Sequence, residues 1–330
     1  RPEKGQVNQL HVFNKPRGKP RQITFGKNPV RKAIINPLND RSIIFLRDEG
    51  GSERYQIFHY DLATGKTIRI TDGKNRHTGV HWSSKGDQIA YFSPKRNGRD
   101  NDLYISRLNQ TGSEKLLLKL NGGGWKIEDW SSDGRMLLIM EYISINESRI
   151  HIVDTQSGEM SPLTPKLKVP VSYQNARFDP NLRAVYFTSD DGFDFQRLTR
   201  LDLSSGEYRY YLAQSKWDVE SFELSPDGES LAVVINERAV SKLRFLNVNS
   251  GAEILESRSP SGVISTLKWG AKNKIMYGFS SALSPGQVVY HDLGSDEKLY
   301  WMKTDLSGIK PDHLSIPVRE EMRSADGSKL

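Results

Sequence analysis

A phrase that returns every 45 to 48 residues leaves this chain few folds to choose from. A turn of small residues followed by a β-rich run reads INPLNDRSIIFLRD (35–48), HWSSKGDQIAYFS (81–93), DWSSDGRMLLIMEY (129–142), RFDPNLRAVYFTSD (177–190), ELSPDGESLAVVIN (223–236) and KWGAKNKIMYGFSS (268–281). The fourth turn position falls on Asp40, Gly86, Gly134, Leu182, Gly228 and Asn273, spaced 46, 48, 48, 46 and 45 residues apart. About twenty residues after each comes a second phrase, such as IFHYDLATGKTIRIT (57–71), IHIVDTQSGEMSPLT (150–164) or RLTRLDLSSGEYRYYL (197–212). Apolar runs on either side of an Asp/Asn-x-x-x-Gly turn are two strands of a hairpin. The repeat unit is therefore four strands, and helical periodicity is nearly absent.

Such units at this period predict an all-β chain, a β-propeller of four-stranded antiparallel blades. Runs such as SIIFL, QIAYF, MLLIM and SLAVV are apolar on both faces, as strands sandwiched between neighbouring blades require. A sandwich or solenoid of hairpins would have no use for so regular a period. The repeats divide at about 28–72, 73–120, 121–166, 167–213, 214–258 and 259–304. A half-repeat at 10–27 aligns without gaps to 57–71, with Gly18 standing 47 residues before Gly65. It reads as the outer half of a blade that either caps the closing blade or joins tail residues in a seventh. Six blades fit the full copies, and seven stay open through the half-repeat. Residues 305–330, rich in charge and proline, break the pattern and read as a linker.

Composition removes whole classes of function. The chain has 330 residues and no cysteine, which excludes disulfides, Cys-ligated metals and a Cys nucleophile. No apolar run exceeds five residues, as in 136–140, far short of a membrane-spanning helix. The 47 basic and 40 acidic residues give a net charge of +7, mild for this length. The basic stretch 15–32 (Lys15, Arg17, Lys19, Arg21, Lys27, Arg31, Lys32) lacks stacking aromatics and reads as a solvated edge hairpin, not an RNA site. Neither nucleic acid nor membrane insertion is expected. The missing initiator Met and the absence of cysteine fit a processed, exported protein, periplasmic for example, better than a cytoplasmic one. Nothing in the sequence fixes the oligomeric state.

The WSSDG and SPDG turns with a DLxTG hairpin behind them resemble TolB-like propeller repeats. More narrowly, EYISINESRIHIVD (141–154), YFTSDDGFDFQRLTRLDL (186–203), KWDVESFELSPDG (216–228) and FSSALSPGQVVYHDL (279–293) resemble the N-terminal propeller of prolyl oligopeptidase family serine peptidases, in the acylaminoacyl- and dipeptidyl-peptidase-like branch. The resemblance covers about residues 10–304. The tail EEMRSADGSKL (320–330) resembles the segment leading into that family's α/β-hydrolase domain, which implies a larger enzyme with this chain as its non-catalytic part. The family's Gly-x-Ser-x-Gly elbow does not occur here. GFSSA (278–282) ends in Ala and lies in a strand, so Ser280 is not expected to act as a nucleophile. By itself the chain is expected not to hydrolyse peptides, and no cofactor is called for.

In a propeller the first strand of each blade lines the central channel. The segments before each turn place His77, His81, Glu128, Asp129, Gln174, Arg177, Glu220, Thr266 and Lys268 there. Beside the implied hydrolase domain they form a polar funnel that screens or orients peptide substrates; without it they are a solvated wall. On this reading Glu220→Ala and Arg177→Ala alter substrate preference more than stability. The resemblance also implies a grip on a substrate's free amine by propeller carboxylates, for which Glu147, Asp190, Asp191 and Asp194 are the candidates. INES does not reproduce the paired-glutamate motif of that branch. His77 and His81 would stand some 13 Å apart along a strand, so no metal site is expected. The Asp133–Gly134 and Asp227–Gly228 pairs are turns rather than calcium loops. Two other classes remain in view: a stand-alone TolB-like scaffold of the cell envelope, and a propeller enzyme with a channel-centred site of its own.

Overall fold

In the computed structural model the described residues are 7–327, apart from 109, 111, 258–260, 271–272, 304–305, 307, 311–312 and 319. They form six four-stranded antiparallel sheets, each a simple meander in chain order, with no helix longer than a single turn. The inner strands are Val30–Ile35, Thr78–Trp82, Trp125–Trp130, Tyr173–Phe178, Val219–Leu224 and Val263–Trp269. The fold is a six-bladed propeller.

The recurring turns have a physical cause. Between first and second strands, the Ser131 hydroxyl donates to Asp133 at 2.7 Å and accepts the Met136 N–H at 2.8 Å, closing the loop. Ser225 does the same with Asp227 and the Ser230 N–H. The residue at the fourth position then takes a left-handed backbone, φ 80° at Gly134 and 57° at Leu182, which glycine adopts without cost. Between third and fourth strands, the leading carboxylate folds back on the chain. Asp61 accepts the N–H groups of Ala63 and Thr64, and Asp154 those of Gln156 and Ser157. These side-chain bonds replace backbone partners that the turn leaves unmade.

Five apolar clusters fill the seams between consecutive blades. Ile44 and Ile57 of blade 1 meet Trp82 and Ile89 of blade 2, and the series continues to Phe245 and Ala232 of blade 5 against Ile275 and Tyr277 of blade 6. Second strands are buried on both faces, Ala184–Ser189 along its whole length. That is why their sequences are continuous apolar runs, not alternating ones.

The N-terminal half-repeat packs on blade 1 and touches the closing blade. His11–Val12 and Arg21–Gln22 form a separate two-stranded sheet. Its Ile23, Leu10 and Val12 pack into a sixth cluster with Val30, Phe45 and Phe58 of blade 1. The Arg17 N–H donates to the Trp301 carbonyl of blade 6 at 2.9 Å. The hairpin thus sits at the seam between the last blade and the first. No seventh four-stranded sheet forms among the described residues.

Candidate functional site

All six inner strands carry a register break, at Val30/Lys32, Thr78/His81, Ile127/Asp129, Gln174/Arg177, Val219/Ser221 and Ser265/Leu267. A bulge bends a strand and redirects the side chains beside it. Past the break, each strand presents one equivalent position two residues before the turn-closing N–H. The positions are Ile34, His81, Asp129, Arg177, Glu223 and Lys268.

Neighbouring inner strands are stapled at this level. Trp82 Nε1 donates to the Ile34 carbonyl at 3.1 Å, and Trp269 Nε1 to the Glu223 carbonyl at 3.2 Å. The Phe178 N–H donates to Asp129 Oδ2 at 2.8 Å, and Arg177 Nη1 to the Glu128 carbonyl at 2.6 Å. Lys268 and Glu223 form an ion pair between blades 6 and 5.

Charges from different blades act on one another here. His81 is walled in by protein, and burial pushes its imidazole down to about 4 despite a hydrogen bond to the Trp82 carbonyl. Arg177, Lys32 and Lys268, on blades 4, 1 and 6, lower it further. Burial raises the Asp129 carboxyl, with Arg177 and the Phe178 and Trp130 N–H groups pulling the other way. Burial and then Lys126 lower the Lys32 ammonium. The Glu128 side chain is only 1% exposed, with Lys126 Nζ 2.8 Å from Oε1 and Arg177 Nη1 3.8 Å from Oε2. The Lys126 contact is ionic without hydrogen-bond alignment, since Oε1 has no aligned donor. The result is a passage wall on which Asp129, Arg177, Glu223 and Lys268 alternate in charge from blade to blade, with His81 neutral beside them.

The structure therefore brings together His81, Glu128, Asp129, Arg177 and Lys268. Sequence reading missed Glu223, Lys32 and Lys126. Glu223 had a signal: it lies five residues before Gly228, as His81 does before Gly86 and Asp129 before Gly134. Glu220 stands on the bulge, where it accepts from Asn236 at 2.9 Å and Ser241 at 3.3 Å. His77 does not face the passage. It is fully buried, 3.3 Å from Asp72 and edge-on to Tyr91 at 5.5 Å. Ser280 lies within the strand Lys274–Ser281, paired to Val263, and not at a strand-to-helix turn.

The carboxylates proposed to bind an amine occupy two places. Glu147 begins the third strand of blade 3 and is paired with Arg149 at 2.7 Å. Asp190, Asp191 and Asp194 line an open groove of about 910 Å³ on blade 4, with Phe193, Phe195 and the buried Arg197. Asp190 accepts the Ser172 N–H at 2.8 Å, and Asp191 the Tyr173 hydroxyl at 3.1 Å. Asp194 is exposed at the rim. Arg197 is stacked between the rings of Phe193 and Phe195 and donates to the carbonyls of Ala213, Ser215 and Trp217. Among the described residues no group of three His, Asp or Glu side chains could hold a metal ion.

Residues 35–304 match the prolyl oligopeptidase N-terminal beta-propeller domain. The uncharacterized peptidase YuxL of Bacillus subtilis (strain 168) is 28% identical over 192 residues, covering 58% of this chain and 26% of that protein. A prolyl endopeptidase structure superposes with a TM-score of 0.76 at 15% identity, over 96% of this chain and 50% of its own. A puromycin-hydrolyzing peptidase of Mycobacterium tuberculosis gives 0.75 at 13% identity, over 94% and 52%. TolB of Acinetobacter baumannii gives 0.57 at 18% identity, over 81% and 65%. The chain spans about a quarter of the length of YuxL and about half that of the two peptidase structures. At these identities the structural likeness speaks for the fold alone.

Proposed function

Since the chain belongs to the prolyl oligopeptidase N-terminal β-propeller family, we propose that it gates and orients short peptide substrates for a C-terminal α/β-hydrolase domain. The observation that carries this reading is an asymmetry between the two faces of the ring. Loops joining second to third strands, and one blade to the next, lie on one face. There stand Tyr142, Ile143, Ile145 (79% exposed), Val169 (71%) and Leu283. The opposite face is made of tight turns whose polar side chains are largely spent on their own backbone, with Ile35 and Leu38 of blade 1 as its exposed apolar side chains. Large apolar side chains exposed on these loops, clustered at blade 3 and its connection to blade 4 and standing again at blade 6, suit an interaction surface. The chain's last strand also ends on the loop face, which favours a following domain docked there.

Steric exclusion is the mechanism. A passage walled by alternating charges admits an extended peptide, which can pair its own amide and terminal charges with the wall. A folded protein is too wide. The blade 4 groove, with Asp194 exposed beside aromatic rings, suits a cationic amine at the substrate's end. TolB likeness supports a second reading, a scaffold that binds other proteins through the loop face. An open reading frame that continues past Leu330 into a Gly-x-Ser-x-Gly elbow supports the gating role, and a stop codon there supports the scaffold.

At the protein level, the purified 330-residue chain is expected to show no turnover of aminoacyl or acylaminoacyl chromogenic substrates. Turnover that a serine-directed reagent abolishes would place the chemistry within this chain and overturn the reading.

A further inference from the structure

The chain's net positive charge resides in one short segment. Residues 4–39 hold eight Lys and Arg and no Asp or Glu, so the other 294 residues carry 39 basic against 40 acidic side chains. Lys15, Arg17, Lys19, Arg21, Lys27 and Arg31 are exposed at the surface, while Lys32 stands at the passage. Among the described residues none of the seven stands within ion-pairing distance of a carboxylate, whereas cations elsewhere repeatedly do.

The fold sets where these charges point. The Val30 N–H donates to the Asn8 carbonyl at 2.8 Å, and Gln9 Nε2 to the carbonyls of Gly26 and Asn28. The hairpin therefore starts beside the first residue of blade 1's inner strand, on the loop face, and runs down that strand. Its tip, residues 13–20, lies on the turn face, with Lys15 just before Pro16 and Arg17 and Lys19 between Pro16 and Pro20. On the same face, the first turn of blade 1 exposes Ile35 (58%) and Leu38 (73%). Arg41 and Lys66 stand on blade 1's two turns, against Asp40 and Asp61. Asp61 is turned inward onto the Ala63 and Thr64 N–H groups.

We propose that this corner of the turn face is a docking surface for an anionic lipid bilayer. A cluster of cations gains attraction from the negative surface potential of such a membrane, at about 1 kcal/mol per side chain near the surface. Leu38 supplies what charge alone does not, an apolar side chain that can dip into the headgroup region. A nucleic acid offers nothing to Leu38, and a single strand would want aromatic stacking platforms. The exposed aromatic of this segment, Phe25, lies at the far end of the hairpin, on the loop face. Docking through the turn face leaves the loop face free, so this inference stands whether or not a hydrolase domain covers it.

The test is co-sedimentation of the 330-residue chain with vesicles of phosphatidylcholine alone, or with about one-third phosphatidylglycerol. Binding is expected only to the anionic vesicles, weakening as salt is raised. Lys15→Gln/Arg17→Gln/Lys19→Gln is expected to lower the partition coefficient about a hundredfold, or fivefold per cation. Leu38→Ser is expected to lower it about tenfold. The loop-face control Lys168→Gln/Lys216→Gln/Arg238→Gln is expected to leave it within about twofold. Circular dichroism checks that each variant is folded. Equal binding to neutral and anionic vesicles overturns the proposal, as does no binding, or a control variant as weak as the hairpin variant. Tighter capture by duplex DNA, unaffected by Leu38→Ser, overturns it in favour of nucleic acid.

Discussion

Lowering the pH from 7 to 5 is expected to destabilise this propeller, with His81 alone contributing about 2 kcal/mol and four further histidines acting in the same direction. Burial lowers the folded-state pKa of His59, His77, His81, His151 and His291. A histidine depressed in this way stays neutral in the native state while the unfolded chain takes up a proton near pH 6.5. The unfolded state then binds more protons, so stability falls as the pH drops through 6.5. For His81 the loss continues until its folded-state value of about 4 is reached. Arg177, Lys32 and Lys268 keep imidazolium disfavoured there. Carboxylates held low by turn N–H groups, such as Asp154 and Asp133, add their loss only as the pH falls below about 4. Asp129 runs the other way, since its raised pKa lets the native state take a proton early. Urea midpoints across this range measure the slope, and His81→Gln is expected to remove about 2 kcal/mol of it. A midpoint that does not move between pH 7 and 5 contradicts the assignment.

Arg177→Ala is expected to cost about 2–3 kcal/mol, more than an exposed ion pair would. The guanidinium holds the Glu128 carbonyl, approaches the nearly inaccessible Glu128 carboxylate and offsets the half-buried Asp129. Without it, Glu128 keeps only Lys126, whose side chain is largely in solvent. Arg177→Lys is expected to recover less than half, because an ammonium lacks the planar fork that serves two acceptors at once. Equilibrium unfolding of the three proteins decides it. A loss below about 0.5 kcal/mol for Arg177→Ala would return the residue to a simple channel wall. This changes what the sequence implied, which was an effect on substrate preference with little effect on stability.

Much of the architecture was legible because the turns repeat their chemistry. A hydroxyl at Ser83, Ser131 or Ser225 and a carboxylate at Asp61, Asp154 or Asp202 leave the same mark in sequence each time. Their spacing carried the blade count to six or seven. The choice between them was not legible, since it depends on where the half-repeat packs. Leu10, Val12 and Ile23 fit blade 1, and nothing local to them says so.

Site residues were legible only to within a pleat. Alternation along a strand says which side chains share a face, but a bulge resets that parity. The sequence does not announce a bulge, and so Glu223, beyond it on the same strand, was overlooked. His77 was misplaced for a different reason. It precedes the strand and turns back onto Asp72, a contact five residues away that strand periodicity does not encode. The acidic run at Asp190, Asp191 and Asp194 showed its charge in the sequence, but not that two of the three would be used by Ser172 and Tyr173.

Substrate selection by size, measured in a full-length protein that carries the proposed hydrolase domain, tests the central claim most directly. Glu223→Ala/Lys268→Ala removes the ion pair that joins blades 5 and 6 at the passage wall. It leaves the buried core intact, since Lys268 is largely exposed. The quantity to measure is kcat/KM for a long unstructured polypeptide divided by kcat/KM for a short peptide with the same cleavable bond. If the propeller gates by exclusion, the double variant raises this ratio about tenfold, equivalent to about 1.4 kcal/mol of discrimination, while the melting temperature stays close to that of the parent. A ratio identical to the parent's would contradict gating through this passage.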